Sequence, residues 1–513
     1  MATQAMGTAA APMIAPSRRA LAGLVLAAGN FMVVLDLSIA NVSVPHIAGD
    51  LGISMDQGAW IITSYAVAEA ICVPLTGWIA QRFGAVRAFV LAMLGFGLFS
   101  AMCGLSISLT MLVVCRIGQG LCGAPLMPIS QTLMLRVFPP EQRGMAMGIW
   151  AMTTLAGPAM GPIIGGTISD NLSWHWIFLI NIPLAVLCAA AAWWLLRGVE
   201  TPTRKLPIDG IGLILLVFWI GALQIMLDIG RDHDWFADPL IVALAIMAFL
   251  GFLVFVIWEL TEEHPIVNLR IFANRSFSAG VFTLALSFGA YFAGIVIIPQ
   301  WLQTSLGYTA TLAGLTTAFA AMAAITTSQI AARMLTRADP RLMVSLAVGW
   351  LGLMTLLRVG WTTNADFWTL SLPQLLQGFG MSFFMIPLTV ISLSTIKPQD
   401  MASATGLQSF VRTLALAVST SLALSIWGNA QRTSHNALAD TLQPDATMAT
   451  LSAQGMSTEQ ARQVIASMVD QEATTLALNH TFLISAVVLF VAAGLIWLSP
   501  RPRPSGTPIE GAH

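Results

Sequence analysis

Fourteen stretches of about 20 apolar residues, each long enough to cross a hydrocarbon core ~30 Å thick, follow one another along this chain of 513 residues. They fall at 20–44, 58–80, 88–107, 109–135, 144–168, 175–196, 210–229, 237–259, 277–300, 311–332, 342–360, 367–391, 402–428 and 479–499. Lipid offers no partner for a backbone N–H or C=O, so each stretch reads as a helix that satisfies its own hydrogen bonds. The expected fold is an all-α integral membrane protein. Residues are 57% hydrophobic and 9% charged, against about 25% charged in an average soluble domain, which excludes an ordinary soluble enzyme. A formal net charge of -1 leaves no basic excess to hold nucleic acid.

The residues SRRALAGLVLA from Ser17 resemble a twin-arginine secretion signal. The apolar run continues past a signal core of about 7 to 15 residues and lacks a small-residue cleavage site, so it reads as a first membrane helix. The five cysteines, Cys72, Cys103, Cys115, Cys122 and Cys188, lie in apolar stretches without CxxC spacing and read as small core residues.

Lysine and arginine accumulate in cytoplasmic loops. With the N-terminus inside, 17 of the 23 fall inside and three, Arg231, Arg432 and Arg462, fall outside; Arg116, Arg358 and Arg412 lie in or at the edge of spans. That split predicts an even number of spans with both termini cytoplasmic. Trp174, Trp176, Trp235 and Trp301 fall near the expected outer interfaces, where an aromatic belt would sit. One long external segment, 429–478, contains STEQARQVIASMVDQEA from Ser457, with a Ser-x-x-Gln capping pattern and helical spacing of Ala461, Val464, Ile465 and Met468. It reads as a short amphipathic helix that lies on its own domain or faces a partner.

Gln119-Gly120, Pro140 and Gly148 recur as Gln377-Gly378, Pro398 and Gly406, each shifted by 258 residues. The fourth and fifth spans therefore correspond to the twelfth and thirteenth. The chain divides into an N-terminal six-helix half (1–208), a two-helix insert (209–260) and a C-terminal six-helix half (261–513) that includes the external segment. Parallel halves rocking about a central site are an architecture for alternating access.

Charged groups inside spans are functional candidates by default, because each costs roughly 2.5 to 3.5 kcal/mol at mid-membrane and needs a partner or a wet lining. Asp36, Glu69, Arg116 and Arg412 stand out. Arg116, Gln119 and Gly120 share one helix face, and Tyr65, Glu69 and Thr76 form a polar stripe on the second span. Burial favours the protonated form of a carboxylate and a nearby arginine favours the ionised form, so such a group can load and release a proton between conformations. The competing reading is a purely structural ion pair between Asp36 and Arg116; for Glu69 it is a carboxyl held neutral or facing a loop cavity. Arg412 either meets an anionic substrate group or neutralises Asp36 or Glu69. Gly157, Gly161 and Gly165 repeat every four residues, a small face for close helix approach, and Pro158 and Pro162 introduce bends.

Neither lysine, Lys205 nor Lys397, lies in a GxxxxGK[ST] phosphate loop. The GxGxxG at Gly118, Gly120 and Gly123 lies within a span and not at a strand-to-helix turn, so it is no nucleotide fingerprint. There is no HExxH and no GxSxG. No enzyme chemistry, metal or cofactor is expected, and the proton gradient is the expected energy source.

LDLSIANVSVP (35–45), GWIAQRFGAVR (77–87), LVVCRIGQGLCGA (112–124) and GPAMGPIIGGTI (157–168) resemble the signature motifs of drug:proton antiporters of the major facilitator superfamily. The fourteen spans with a two-helix insert resemble its larger drug-export branch. PLTGW, PLMPISQ, SWHWIFLINIP and the long loop before the last span are similar to EmrB-type multidrug export proteins. The resemblance implies that Asp36 belongs to the proton-coupling motif, that Arg116 takes part in proton transfer, and that Gly161 and Pro162 carry the antiporter signature. Gly77, Arg82 and Gly84 would form a turn that gates conformational change, although the acidic residue usual there is Gln81. Gln119, Tyr65 and Gln377 join Arg412 as candidate lining residues of a substrate cavity. The resemblance further implies multidrug efflux through the bacterial inner membrane, with a periplasmic adaptor and an outer-membrane channel as partners. A proton-coupled metabolite importer and a non-transporting membrane scaffold or sensor are the alternatives.

Overall fold

The computed structural model describes residues 15–139, 142–204, 207–231, 233–335, 337–441 and 456–500; Pro140, Lys205 and residues 442–455 of the expected external segment lie outside them. No strand occurs among the described residues. The first helices are α1 (Pro16–Leu51), α2 (Met55–Cys72), α3 (Thr76–Phe83), α4 (Ala85–Gly104), α5 (Leu109–Gly123), α6 (Leu126–Val137), α7 (Arg143–Asn171), α8 (Trp176–Leu179) and α9 (Asn181–Leu196). They are followed by α10 (Gly210–Ile229), α11 (Pro239–Thr261), α12 (Arg275–Thr304), α13 (Ala310–Met334), α14 (Pro340–Leu357), α15 (Phe367–Leu393), α16 (Met401–Thr441) and α17 (Thr458–Leu495).

Thirteen described helices are long and apolar enough to cross a membrane, and they coincide with thirteen of the fourteen expected spans. The remaining position, 144–168, is occupied by the 29-residue α7. Polar side chains start several helices by accepting from the orphan N–H groups of the first turn: Ser108 from Met111, Thr309 from Leu312, and Asp366 from Thr369. Glycine ends others. Gly52 closes α1 at a φ of 62°, and Gly84 turns the chain between α3 and α4 at 89°, both left-handed values that favour a residue without a Cβ.

The chain forms two compact units, one comprising residues 1–224, 245–271 and 396–410, the other 225–244, 272–395 and 411–513. In the first, α1 packs along α7 and α9, and α5 along α2 and α4; in the second, α15 packs along α13 and α14, and α17 along α12 and α14. The shift of 258 residues extends to helix starts, since α7 begins at Arg143 and α16 at Met401.

Two expectations are corrected. The segment from Ser457 has the anticipated capping box, with Gln460 N–H donating to Ser457 Oγ at 3.3 Å and Ser457 N–H to Gln460 Oε1 at 2.9 Å. It does not form a short separate helix, because α17 runs 38 residues without a break into the last span. At 1.5 Å per residue that is roughly 57 Å, nearly twice a hydrocarbon core. Gln431 on α16 donates to Asp470 at 3.1 Å, and Trp427 donates to the Thr474 carbonyl, so the extensions pair with each other. Ala461 is buried in this arrangement while Met468 is exposed.

The second correction concerns the aromatic belt. Trp301 is fully buried, donates to Thr475 and stacks on Trp361 with centroids 5.8 Å apart. Trp174 is buried with its indole N–H on Asp50. Both are packing residues whose N–H has found a partner; of the outer pair near 175, Trp176 is the exposed one. All five cysteines are free, and four of them are buried.

Candidate functional site

The first unit places Asp36 in the middle of α1, where α7 approaches closely. A Cβ added at Gly157 would collide with Val34, one at Gly161 with Ser38, and one at Gly165 would lie 3.2 Å from the Ile39 Cα. These neighbours bracket Asp36, so the glycine face of α7 sets the position of the helix that carries the carboxylate. Pro162 lies on the same stretch of α7, and its side chain is outside the described ones.

Around Asp36 three side chains from two helices, α5 and α9, contribute donors. Arg116 Nη1 on α5 donates to Asp36 Oδ2 at 2.7 Å. Gln119 Nε2, one turn further along α5, donates to Oδ1 at 3.0 Å, and Asn181 Nδ2 on α9 donates to the same oxygen at 2.7 Å. Ser100 on α4 accepts from both amides, at 3.2 and 3.1 Å, and donates to the Phe178 carbonyl. Arg116 also donates from Nε to the Ile61 carbonyl at 3.1 Å and lies 4.2 Å above the Tyr65 ring. Asp36 is 2% exposed and Arg116 and Gln119 are 0% exposed.

A buried ion pair is tolerated where Coulomb attraction and further hydrogen bonds offset desolvation of both charges. Here every carboxylate oxygen is occupied and the pair is neutral overall. The network joins α1, α5 and α9, and in it Arg116 Nη2 is buried without a hydrogen-bond partner. The apolar cluster of Leu35, Ile39, Ile61, Cys103, Leu112 and Phe178 packs beside it and keeps the local dielectric low.

Gly120 explains the other half of the repeated Gln-Gly pair. A Cβ there would lie 2.6 Å from the Tyr65 carbonyl, so glycine lets α5 close on α2 and presses Tyr65 under Arg116. The Tyr65 hydroxyl is buried without a hydrogen-bond partner, and Glu69 lies one turn along α2 at 8% exposure. Thr76, expected on the same stripe, instead donates to the Val73 carbonyl at 2.6 Å.

Gly77 is the second residue of α3, and Arg82 and Gly84 lie at the α3–α4 turn. Gly77 packs against Ser403, and Gln81 donates to Ser403 Oγ at 3.1 Å. The acid absent at position 81 has a counterpart there from α9's end: Glu200 accepts the N–H of Val86 at 2.9 Å and of Arg87 at 3.0 Å, capping α4 where a helix N-terminus favours negative charge.

In the second unit, Arg412 lies 5.8 Å above the Phe288 ring. Gln377 accepts from Arg358 Nη2 and donates to Thr355 at 3.2 Å. Arg358 is 2% exposed and also reaches Gln374 Oε1 at 2.9 Å.

Three residues escaped the sequence reading. Asn181 and Ser100 are uncharged polar residues in apolar spans, and a search confined to ionisable groups passes over them; the asparagine in FLINIP was the available signal. Arg358 was placed at a span edge, although it is as deeply buried as Asp36.

The sequence model of the Major Facilitator Superfamily matches residues 26–420. The chain belongs to that superfamily. Within it the chain is an EmrB-type protein: it is 40% identical to the multidrug export protein EmrB of Escherichia coli strain K12 over 96% of this chain and 97% of that one. It is 39% identical to the fatty acid resistance protein FarB of Neisseria gonorrhoeae over 95% and 97%. Among solved structures, the proton:xylose symporter XylE matches with a TM-score of 0.59 at 14% identity, covering 94% of this chain and 95% of that one, a likeness of fold. This member of the superfamily is a multi-pass membrane transporter and not an enzyme.

Proposed function

We propose that this chain exports hydrophobic or amphipathic compounds across the bacterial inner membrane in exchange for protons, with both termini in the cytoplasm. The observation that carries the coupling is Asp36: a carboxylate in the membrane interior, 2% exposed, held by Arg116, Gln119 and Asn181. Protonation cancels its charge, leaves Arg116 unbalanced and weakens the link between α1, α5 and α9. The network then favours another helix arrangement in which substrate is released. Glu69 shares the proton path from α2, and the Gly157–Gly165 face of α7 is the surface on which α1 shifts. Gly77, Arg82 and Gly84 control the segment from α3 into α4, while Tyr65 and Gln119 in the first unit, and Gln377 and Arg412 in the second, are the proposed substrate contacts of their own units. No cofactor is needed. One charge moving down the potential supplies about 2.3 kcal/mol per 100 mV.

The export direction is supported by the relative named a multidrug export protein. By the same likeness, a periplasmic adaptor and an outer-membrane channel are the proposed partners, with the paired extensions of α16 and α17 as the docking element.

The test is drug-gradient-driven proton flux into proteoliposomes. Asp36→Asn, which keeps the size and a hydrogen-bonding end but cannot ionise, is expected to reduce coupled flux to the protein-free background. A variant that antiports at the wild-type rate would overturn the assignment.

A further inference from the structure

We propose that α12 and the end of α17, in the second unit, form a binding site for one anionic phospholipid, with its phosphate on Arg275 and an acyl chain along the groove beside it. The site goes beyond the export reading and takes from it only the cytoplasmic placement of this end of the spans.

A groove of about 730 Å³ opens here, within the roughly 300 to 1,000 Å³ of small-molecule sites. Arg275, Ala279, Phe282 and Leu286 follow one another along α12 at spacings of three or four residues and form one stripe. The small side chains of Ser278, Ala279 and Ala285 leave a trough, and Leu495 and Leu498, at the end of α17 and in the turn after it, form the opposite wall. From Arg275 to Leu286 the stripe runs roughly 16 Å, the depth of one leaflet in a core ~30 Å thick. Phe282 is 53% exposed and Leu498 69% exposed, so the walls are open to acyl chains.

Charge decides the headgroup. Arg275 is exposed and makes no ion pair or side-chain hydrogen bond among the described residues. The other polar groups at the mouth are engaged: Ser278 Oγ donates to the Phe272 carbonyl, and Asn274 Oδ1 accepts the first-turn N–H groups of Ser276 and Phe277. Arg341 supplies the contrast. It pairs with Asp339 at 3.1 Å and donates to the Ser499 carbonyl at 3.1 Å, which pins the turn that carries Leu498. Its charge is met within the protein, and that of Arg275 is left for a ligand. A guanidinium meets a phosphate through two parallel N–H···O bonds, and the cytoplasmic leaflet carries the anionic lipids. A zwitterionic lipid adds an ammonium that offsets the attraction.

The test uses the purified full-length chain in a neutral maltoside detergent. Dioleoyl phosphatidylglycerol, dioleoyl phosphatidylethanolamine and dioleoylglycerol, which share their chains, are compared by their effect on thermal unfolding. Wild type is expected to gain roughly 2 to 4 °C with phosphatidylglycerol over either of the others. Arg275→Gln is expected to lower that gain to the phosphatidylethanolamine value. Ala285→Phe, which fills the groove, is expected to lower it with Arg275 intact, and if one variant fails to fold the other decides. Arg197→Gln, at an exposed arginine just after α9 in the first unit, is expected to keep the full gain. A dioleoylglycerol gain equal to that of phosphatidylglycerol overturns the proposal, because apolar bulk alone is then selected. Full retention in Arg275→Gln overturns it too, as does an equal loss in Arg197→Gln, which is charge attraction without a site. Asp36→Asn is expected to retain the lipid response, so loss of coupling in that variant and loss of lipid binding at Arg275 are read separately.

Discussion

The polar clusters of the two units occupy the same places in the repeat and resolve their buried charge in opposite ways. In the first, Arg116 faces the Asp36 carboxylate at 2.7 Å. In the second, Arg358 holds two glutamines and a backbone carbonyl, and a glycine stands at the carboxylate's counterpart. What the repeat keeps is helix approach: Gly120 admits the Tyr65 backbone, and Gly378 packs against the Ala320 carbonyl in the same manner. Packing is retained across the duplication while charge is redistributed. The first cluster sets its arginine against a carboxylate, and the second holds its arginine on neutral acceptors.

The sharpest way to break this comparison is to remove each arginine in turn. Arg116→Gln strands Asp36 without its partner and is expected to cost about 3 to 5 kcal/mol of stability in denaturant titrations of the purified protein. Arg358→Gln removes a charge that meets no carboxylate among the described residues, so the expected loss is about 1 kcal/mol, from hydrogen bonds alone. Equal losses would mean that Arg358 has a counter-charge after all. The two glycines sharpen the same contrast. Gly161→Ala meets Ser38 on α1 and is expected to cost about 1 to 3 kcal/mol through overpacking; Gly294→Ala makes ordinary contacts, at 3.7 Å with Ile298 Cδ1 and 3.9 Å with Arg358 Nη1, and is expected to be neutral or to stabilise by up to about 1 kcal/mol. Thermal unfolding of both variants checks the difference. The smallest effect is at the edge of the first cluster: Asn181→Ala removes donors from Asp36 and Ser100, for an expected loss of about 1 to 2 kcal/mol. Its coupled flux should fall less than that of Asp36→Asn, since Arg116 and Gln119 still hold the carboxylate.

Much of the first cluster was legible in the chain. Asp36, Glu69 and Arg116 are conspicuous because lipid makes every charge expensive, and the i, i+3 spacing put Arg116 and Gln119 on one face before any contact was known. Asn181 and Ser100 were not legible, because an uncharged polar residue can satisfy itself within its own helix, as Thr76 does. The misplacement of Trp174 and Trp301 has a related cause. A tryptophan near a span end suits the interface or the core equally, and what decides is whether a partner such as Asp50 or Thr475 lies within reach of its N–H. The cap at Ser457 is legible in the sequence and the 38-residue extent of α17 is not, since a capping box marks where a helix begins and says nothing of where it stops.

By itself the sequence determined the apolar spans, their helical form and the internal repeat, because transfer to lipid and backbone satisfaction are local properties that add up residue by residue. Only the tertiary structure decided which buried charge meets a counter-charge. That outcome depends on the height and rotation of one helix against another, set at Gly120, Gly161 and Gly378 by how closely two backbones approach, and a shift of a single residue along α1 would turn Asp36 away from all three of its donors.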